Sequence, residues 1–137
     1  MPRLISFAAC MLASIVMAGV ASAHHGPADL GTVRITQPVM VGGTVLQPGT
    51  YQVRDAGEHV MPLPGQSADA QSRIEFLRDG MVVALDIAEV QDSEGGTVGT
   101  SGTTTRLKFE QLKGGDFVRI SGFHKGERYL IHLPVGH

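Results

Sequence analysis
From residue 31 onward, apolar side chains recur at every second position, not at every third and fourth. That alternation turns one face of an extended strand to a core and the other to water. Gly, Pro and Asp break the pattern about every eight to twelve residues, the spacing of an all-β domain. Strands are expected near 32–41, 44–47, 50–55, 72–78, 81–91, 103–112, 117–124 and 129–134. No stretch supports a helix longer than one turn, except within 66–72. Two stretches interrupt the strands. Residues 56–71 (AGEHVMPLPGQSADAQ) read as irregular, and 91–104 (QDSEGGTVGTSGTT) as a flexible polar connection.

Three tight turns fix expected registers. Asp79-Gly80 suits a type I′ turn, in which both positions take positive φ. Pairing 78 with 81 puts Ile74 and Phe76 on one face with Val83, Leu85 and Ile87, and Arg73 opposite Asp86. Gly114-Gly115 is a second such turn. Pairing 113 with 116 sets Leu107 and Phe109 beside Ile120 and Val118, and Glu110 opposite Arg119. Gly126-Glu127 suits a type II′ turn, with Gly first. Pairing 125 with 128 sets Ile120 and Gly122 beside Leu133 and Ile131, Tyr129 opposite His124, and Ser121 opposite His132. A slip of one residue would invert every face, so the emergence of two opposite-charge pairs beside an apolar face supports these registers. The other face of the 103–134 meander also carries apolar groups: Leu112 beside Phe117, and Phe123 opposite Leu130. A sandwich would cover them with residues 32–55. Left uncovered, Leu112, Phe117, Phe123 and Leu130 form an apolar contact patch.

The start of the chain has a different character. Arg3 is followed by an uncharged, mostly apolar run to Val20 and then by Ala21-Ser22-Ala23, a small-x-small cleavage pattern. Together these read as a secretory signal over 1–23, expected to be helical. An uncleaved anchor is the alternative, since about 20 apolar residues can span a bilayer. Lipid attachment at Cys10 is less favoured, because the apolar stretch before it is too short. Cleavage after Ala23 leaves a flexible start over 24–31 and a single β domain over 32–137, exported to the periplasm or beyond the cell. Cys10 is the only cysteine, so the processed chain has no disulfide and no thiol chemistry. The processed chain carries ten Lys and Arg against thirteen Asp and Glu, a net charge of −3. That balance excludes a basic nucleic-acid binder, and removal of the signal leaves no membrane segment.

Residues 39–53, VMVGGTVLQPGTYQV, run strand, Gly-Gly-Thr, short strand, Pro-Gly-Thr-Tyr, strand. Pro48-Gly49 suits the middle of a type II turn, with Gly at positive φ. This segment, with the hairpin Phe76-Leu77-Arg78-Asp79-Gly80, resembles a group of small exported bacterial β-proteins that share a V-G-G-T-x-L-x-x-G-x-Y start. The resemblance spans about residues 33–90. It implies an exported β-sandwich and no particular activity.

Candidate chemistry is sparse. Cleavage after Ala23 would make His24 the first residue, with His25 behind it. A free α-amine and the His24 imidazole can chelate copper, and a second histidine completes a three-nitrogen site. Such a site resembles the histidine brace of exported copper proteins, although the Asp-x-His pair of the small copper carriers is missing near the C-terminus. The competing reading is a loose terminal tail. His124 and His132 fall on opposite faces. His59 and Met61 lie in the irregular segment, and His137 ends the chain. Ser121 across from His132, flanked by Lys108, is a hydrolytic dyad on paper, but no carboxylate orients the histidine. Asp92 and Glu94 lack the remaining ligands of a calcium loop. The leading expectation is therefore a non-enzymatic, all-β antiparallel sandwich, Ig-like or barrel-like, of about seven or eight strands, with a binding or structural role toward a protein or small ligand. The alternatives are copper binding through His24 and His25, and a small hydrolase using Ser121 and His132.

Overall fold
The alternating segments form strands where the pattern expects them. The computed structural model describes residues 27–66, 70–92 and 106–136, and among these there are nine strands and no helix. They are β1 (Ala28–Ile35), β2 (Val39–Val41), β3 (Thr44–Leu46), β4 (Gly49–His59), β5 (Gln71–Arg78), β6 (Met81–Asp92), β7 (Lys108–Gln111), β8 (Phe117–His124) and β9 (Glu127–Pro134). Seven form one antiparallel sheet in the order β1-β4-β5-β6-β9-β8-β7, while β2 and β3 form a separate hairpin. The sheet curls until its ends approach: Leu107 N–H donates to Thr32 C=O at 2.7 Å, beside an isolated parallel bridge between Thr32 and Arg106. The result is a nearly closed barrel instead of two stacked sheets. Closure removes most of the free edge that an open sheet leaves exposed.

The interior is filled by side chains. Phe76, Ile74, Ile120, Ile131, Leu133, Val33 and Val53 are all fully buried, and Leu107 joins them with Phe109 packed at the margin. Burying each such side chain stabilises the fold by about 1.5–3 kcal/mol. The β2–β3 hairpin is part of this core. Val39, Val41 and Leu46 are buried with the barrel residues. Val39 bridges Val135, and Gly136 N–H donates to Pro38 C=O at 2.8 Å. Pro38 cannot donate to a ladder, and here the expected 32–41 strand divides into β1 and β2.

Several expected details are corrected. Arg78 pairs with Met81, and Asp79 and Gly80 both take positive φ, as a type I′ turn requires. Between Phe76 and Leu77, however, the register shifts: Leu77 faces Val82 while Phe76 faces Ala84, so Val83 is an extra residue. This bulge reverses the expected faces of β6. Ala84 and Ala88 are buried beside Phe76, whereas Val83, Leu85 and Ile87 are exposed, and Arg73 faces Ile87 instead of Asp86. The last hairpin turns at Lys125-Gly126, with positive φ at both, and not at Gly126-Glu127. Ile120 then faces Ile131, and Tyr129 faces Gly122 instead of His124. The shift is two residues in register, so the inward set is unchanged. The pairing of β7 with β8 is as expected, with Glu110 opposite Arg119. Gly49 is the first residue of β4, paired with Ile35, and does not supply a positive-φ turn. β1 begins at Ala28, inside the tail expected over 24–31, and β4 extends to His59, inside the stretch expected to be irregular. The signal helix expected over 1–23 lies outside the described residues.

Gly42 lets the hairpin meet β6. Its φ is +53°, and a Cβ there would stand 1.9 Å from the Leu85 carbonyl oxygen. Neighbouring Gly43 has φ +87° and open space around the same position. Replacement of Gly43 by Ala should cost only the left-handed backbone penalty, about 1–2 kcal/mol. Gly42→Ala should cost about 2 kcal/mol more, because backbone must move. Urea unfolding followed by circular dichroism reads both; equal losses would remove the close approach as a constraint.

Candidate functional site
The polar residues inside the barrel gather at one end, and the strand irregularities put them there. Asp55 is only 2% exposed. It sits where β4 shifts register against β5, and its Oδ1 accepts the Gly57 N–H at 2.8 Å. Gly57 has φ +70°. This Asp-x-Gly unit is an Asx turn built into a strand. Asp29-Leu30-Gly31 repeats it on β1, with Gly31 N–H on Asp29 Oδ1 at 2.9 Å beside a second register shift.

Asp55 is satisfied by three donors. Besides Gly57, the Ser72 hydroxyl donates to Oδ1 at 2.6 Å and the Tyr129 hydroxyl to Oδ2 at 2.9 Å. Tyr129 lies on β9, three places from the β4 of Asp55 in the sheet order, so this bond crosses the barrel interior. The same hydroxyl has Glu127 Oε2 as a second acceptor at 3.3 Å. Burial, followed by the hydrogen bond to Asp55, pushes the Tyr129 phenol well above its ordinary range. Tyr129 therefore holds its proton and donates it in a hydrogen bond to Asp55.

Beside this cluster lies a cavity of about 220 Å³, walled by Pro27, Ala28, Asp55, His124, Lys125, Glu127 and Tyr129. Both ring nitrogens of His124 are buried without a hydrogen-bond partner. The ring therefore has unused hydrogen-bonding capacity at both nitrogens. Among the described residues, no three His, Cys, Asp or Glu side chains are arranged to hold a metal ion.

The structure separates the expected hydrolytic pair. Ser121 faces Lys108 on one side and Leu130 on the other, while His132 is exposed opposite Arg119. The turn at Lys125-Gly126 is the cause. His124 faces the interior end and His132 faces outward, so they are not co-ligands. His24, His25, His137 and Glu94 lie outside the described residues, and Met61 is exposed. In the expected contact patch, Phe117 and Phe123 are exposed and Leu112 is half-buried, but Leu130 is only 7% exposed and faces Ser121, not Phe123. Asp55, Ser72 and Tyr129 were not singled out in the sequence. The Asp-x-Gly unit is the signal that could have found the first of them.

No family model matches the chain, and no curated protein or solved structure gives a significant match.

The Tyr129 clamp has a defined pH dependence. Its folded-state pKa is raised above the ordinary value of 10.0, so the folded state holds the proton more tightly. The stabilisation is complete below that value and declines as pH climbs above it. Tyr129→Phe should lower stability at neutral pH by about 1–3 kcal/mol, because Asp55 loses a donor. The same variant should lose less additional stability between neutral pH and about pH 11 than the parent does. Urea midpoints at the two pH values measure this. Parallel losses in both proteins would show that Tyr129 does not carry the alkaline sensitivity.

Proposed function
We propose that this chain is a non-enzymatic exported domain that binds a partner through the outside of its barrel. The observation that carries the reading is the row Val83, Leu85 and Ile87 on β6, which are 38%, 45% and 43% exposed. Met81 and Val82 extend it. The barrel is too narrow and too well filled to hold a ligand within, so recognition falls to the wall and the ends. β-branched and leucine side chains lined along one strand in water are the kind of surface that contact with another molecule covers. The export-like first 23 residues and the resemblance of residues 33–90 to small exported β-proteins support the location. A photo-crosslinking residue at position 85, in cells, should give a discrete adduct that the same residue at the exposed Arg34 does not. Equal yields from both positions, or none from position 85, would end this reading.

A second reading is copper binding. Pro27, where the described chain begins, stands in the wall of the end cavity with His124 and its unpartnered ring nitrogens. The α-amine and imidazole of a processed His24 would supply two nitrogens, and a second imidazole the third. Intact mass of the exported protein should place the new N-terminus at His24. Cu(II) titration should then show tight binding that is lost in His24→Ala and on adding one residue before His24. Unchanged affinity in both variants excludes the site.

A further inference from the structure
The barrel's outer surface across β7, β8 and β9 holds a groove of about 320 Å³ whose walls carry Arg106, Lys108, Arg119 and Arg128 against one acid, Glu110. The chain is acidic overall, with 11 Lys and Arg against 13 Asp and Glu, so four cations on one groove are a local concentration. Register explains it: Lys108 faces Ser121, Glu110 faces Arg119, and Arg128 faces Phe123, all on the outward side of alternating strands.

Glu110 neutralises only part of this charge. It pairs with Lys108 and, at 3.1 Å, with Arg119. The Lys108 hydrogen bond first, then that of Arg119, holds its carboxyl below the usual range. Two donors are left over. The Nε–H groups of Arg119 and Arg128 are both buried without a hydrogen-bond partner. A buried charged donor without an acceptor is costly, and such groups in native proteins usually meet a water or an ion. The guanidinium fork matches the geometry of an oxyanion, and pairing with one forms short charge-assisted hydrogen bonds. Arg128 also lies over the Phe123 ring at 6.0 Å, which sets an apolar surface beside the charged one.

We propose that this groove binds a tetrahedral oxyanion, phosphate or sulfate, free or as the charged end of a small organic molecule. Arg119 and Arg128 are its direct ligands. Arg106 and Lys108 raise the local anion concentration, and Phe123 supports the organic part. The site is independent of the β6 contact row.

The test is an NMR titration of the ¹⁵N-labelled protein at low ionic strength with sodium phosphate, with phenyl phosphate, and with sodium chloride at matched ionic strength. Saturable shifts are expected at residues 119–123 and 128 with either phosphate and not with chloride. Tighter binding of phenyl phosphate, by about threefold or more, assigns a ring-bearing ligand through Phe123. Equal affinity assigns the free anion. Arg128→Gln should weaken binding about tenfold. Because Arg119 also holds Glu110, the exposed Arg106→Gln is the safer second variant, with a loss of about two- to threefold. Linear shifts shared with chloride, or unchanged affinity in Arg128→Gln, would overturn the proposal.

Discussion
One extra residue in β6 decides which side chains this protein keeps and which it shows. Val83 has no partner of its own in β5, so Ala84 rather than Val83 falls opposite Phe76. The inward positions of β6 are then Ala84 and Ala88, with Val90 packed against the core further along, and the bulky Val83, Leu85 and Ile87 are turned out. A barrel of this size has little interior width. Phe76 and Ile74 on β5 fill the space beside β6, and alanines are what fits against them. A bulge also bends the strand that carries it, which helps a sheet close on itself. Without the bulge, Val83, Leu85 and Ile87 would compete with Phe76 for the same volume, and Ala84, Asp86 and Ala88 would be turned out.

At the opposite level of chemistry, Asp55 shows how a closed sheet tolerates a carboxylate in its core. Burying an ionised group is expensive unless its lone pairs are met. Here a backbone N–H, a serine hydroxyl and a tyrosine hydroxyl meet them, and the three come from β4, β5 and β9. The Tyr129 bond joins strands that are not neighbours in the sheet. It therefore ties the two sides of the barrel where the apolar packing gives way to the cavity at its end. Gly122 is the residue opposite Tyr129 on β8.

Strand existence and most facing were legible because they depend on local alternation and on turn residues with a steric requirement. Asp79-Gly80 and the β7–β8 pairing are of that kind. What was not legible depends on closure. The Val83 bulge has no local marker, since Val82-Val83-Ala84-Leu85 reads equally well in either phase. The choice between Lys125-Gly126 and Gly126-Glu127 was also decided elsewhere. Lys125 accepts an unfavourable positive φ, of order 1 kcal/mol, and in return Ile120 faces Ile131 and Val118 faces Leu133. The expected all-β antiparallel class holds, and the sheet takes the barrel-like form of the two that were open, a choice set by closure because alternation fixes faces but not whether the sheet folds over or curls. Asp55 was readable in part: two Asp-x-Gly units stand at residues 29–31 and 55–57, each with a steric reason to interrupt a strand. The carboxylate's partners on β5 and β9 come only with the topology.

The outer wall then has a graded character that follows from strand order. Reading around the barrel from β6 through β9 and β8 to β7, the outward residues pass from Val83, Leu85 and Ile87 to Leu130 and Arg128, then to Phe123, Ser121 and Arg119, then to Lys108 and Glu110. Apolar surface gives way to cationic surface within three strands, and Leu130 and Phe123 lie between the two. The exposed Leu85 and Ile87 stand on β6, whereas the unpartnered guanidinium Nε groups of Arg119 and Arg128 stand on β8 and β9, with the nearly buried Leu130 between them. The two parts of this wall therefore differ in the chemistry they present, apolar along β6 and cationic across β7, β8 and β9.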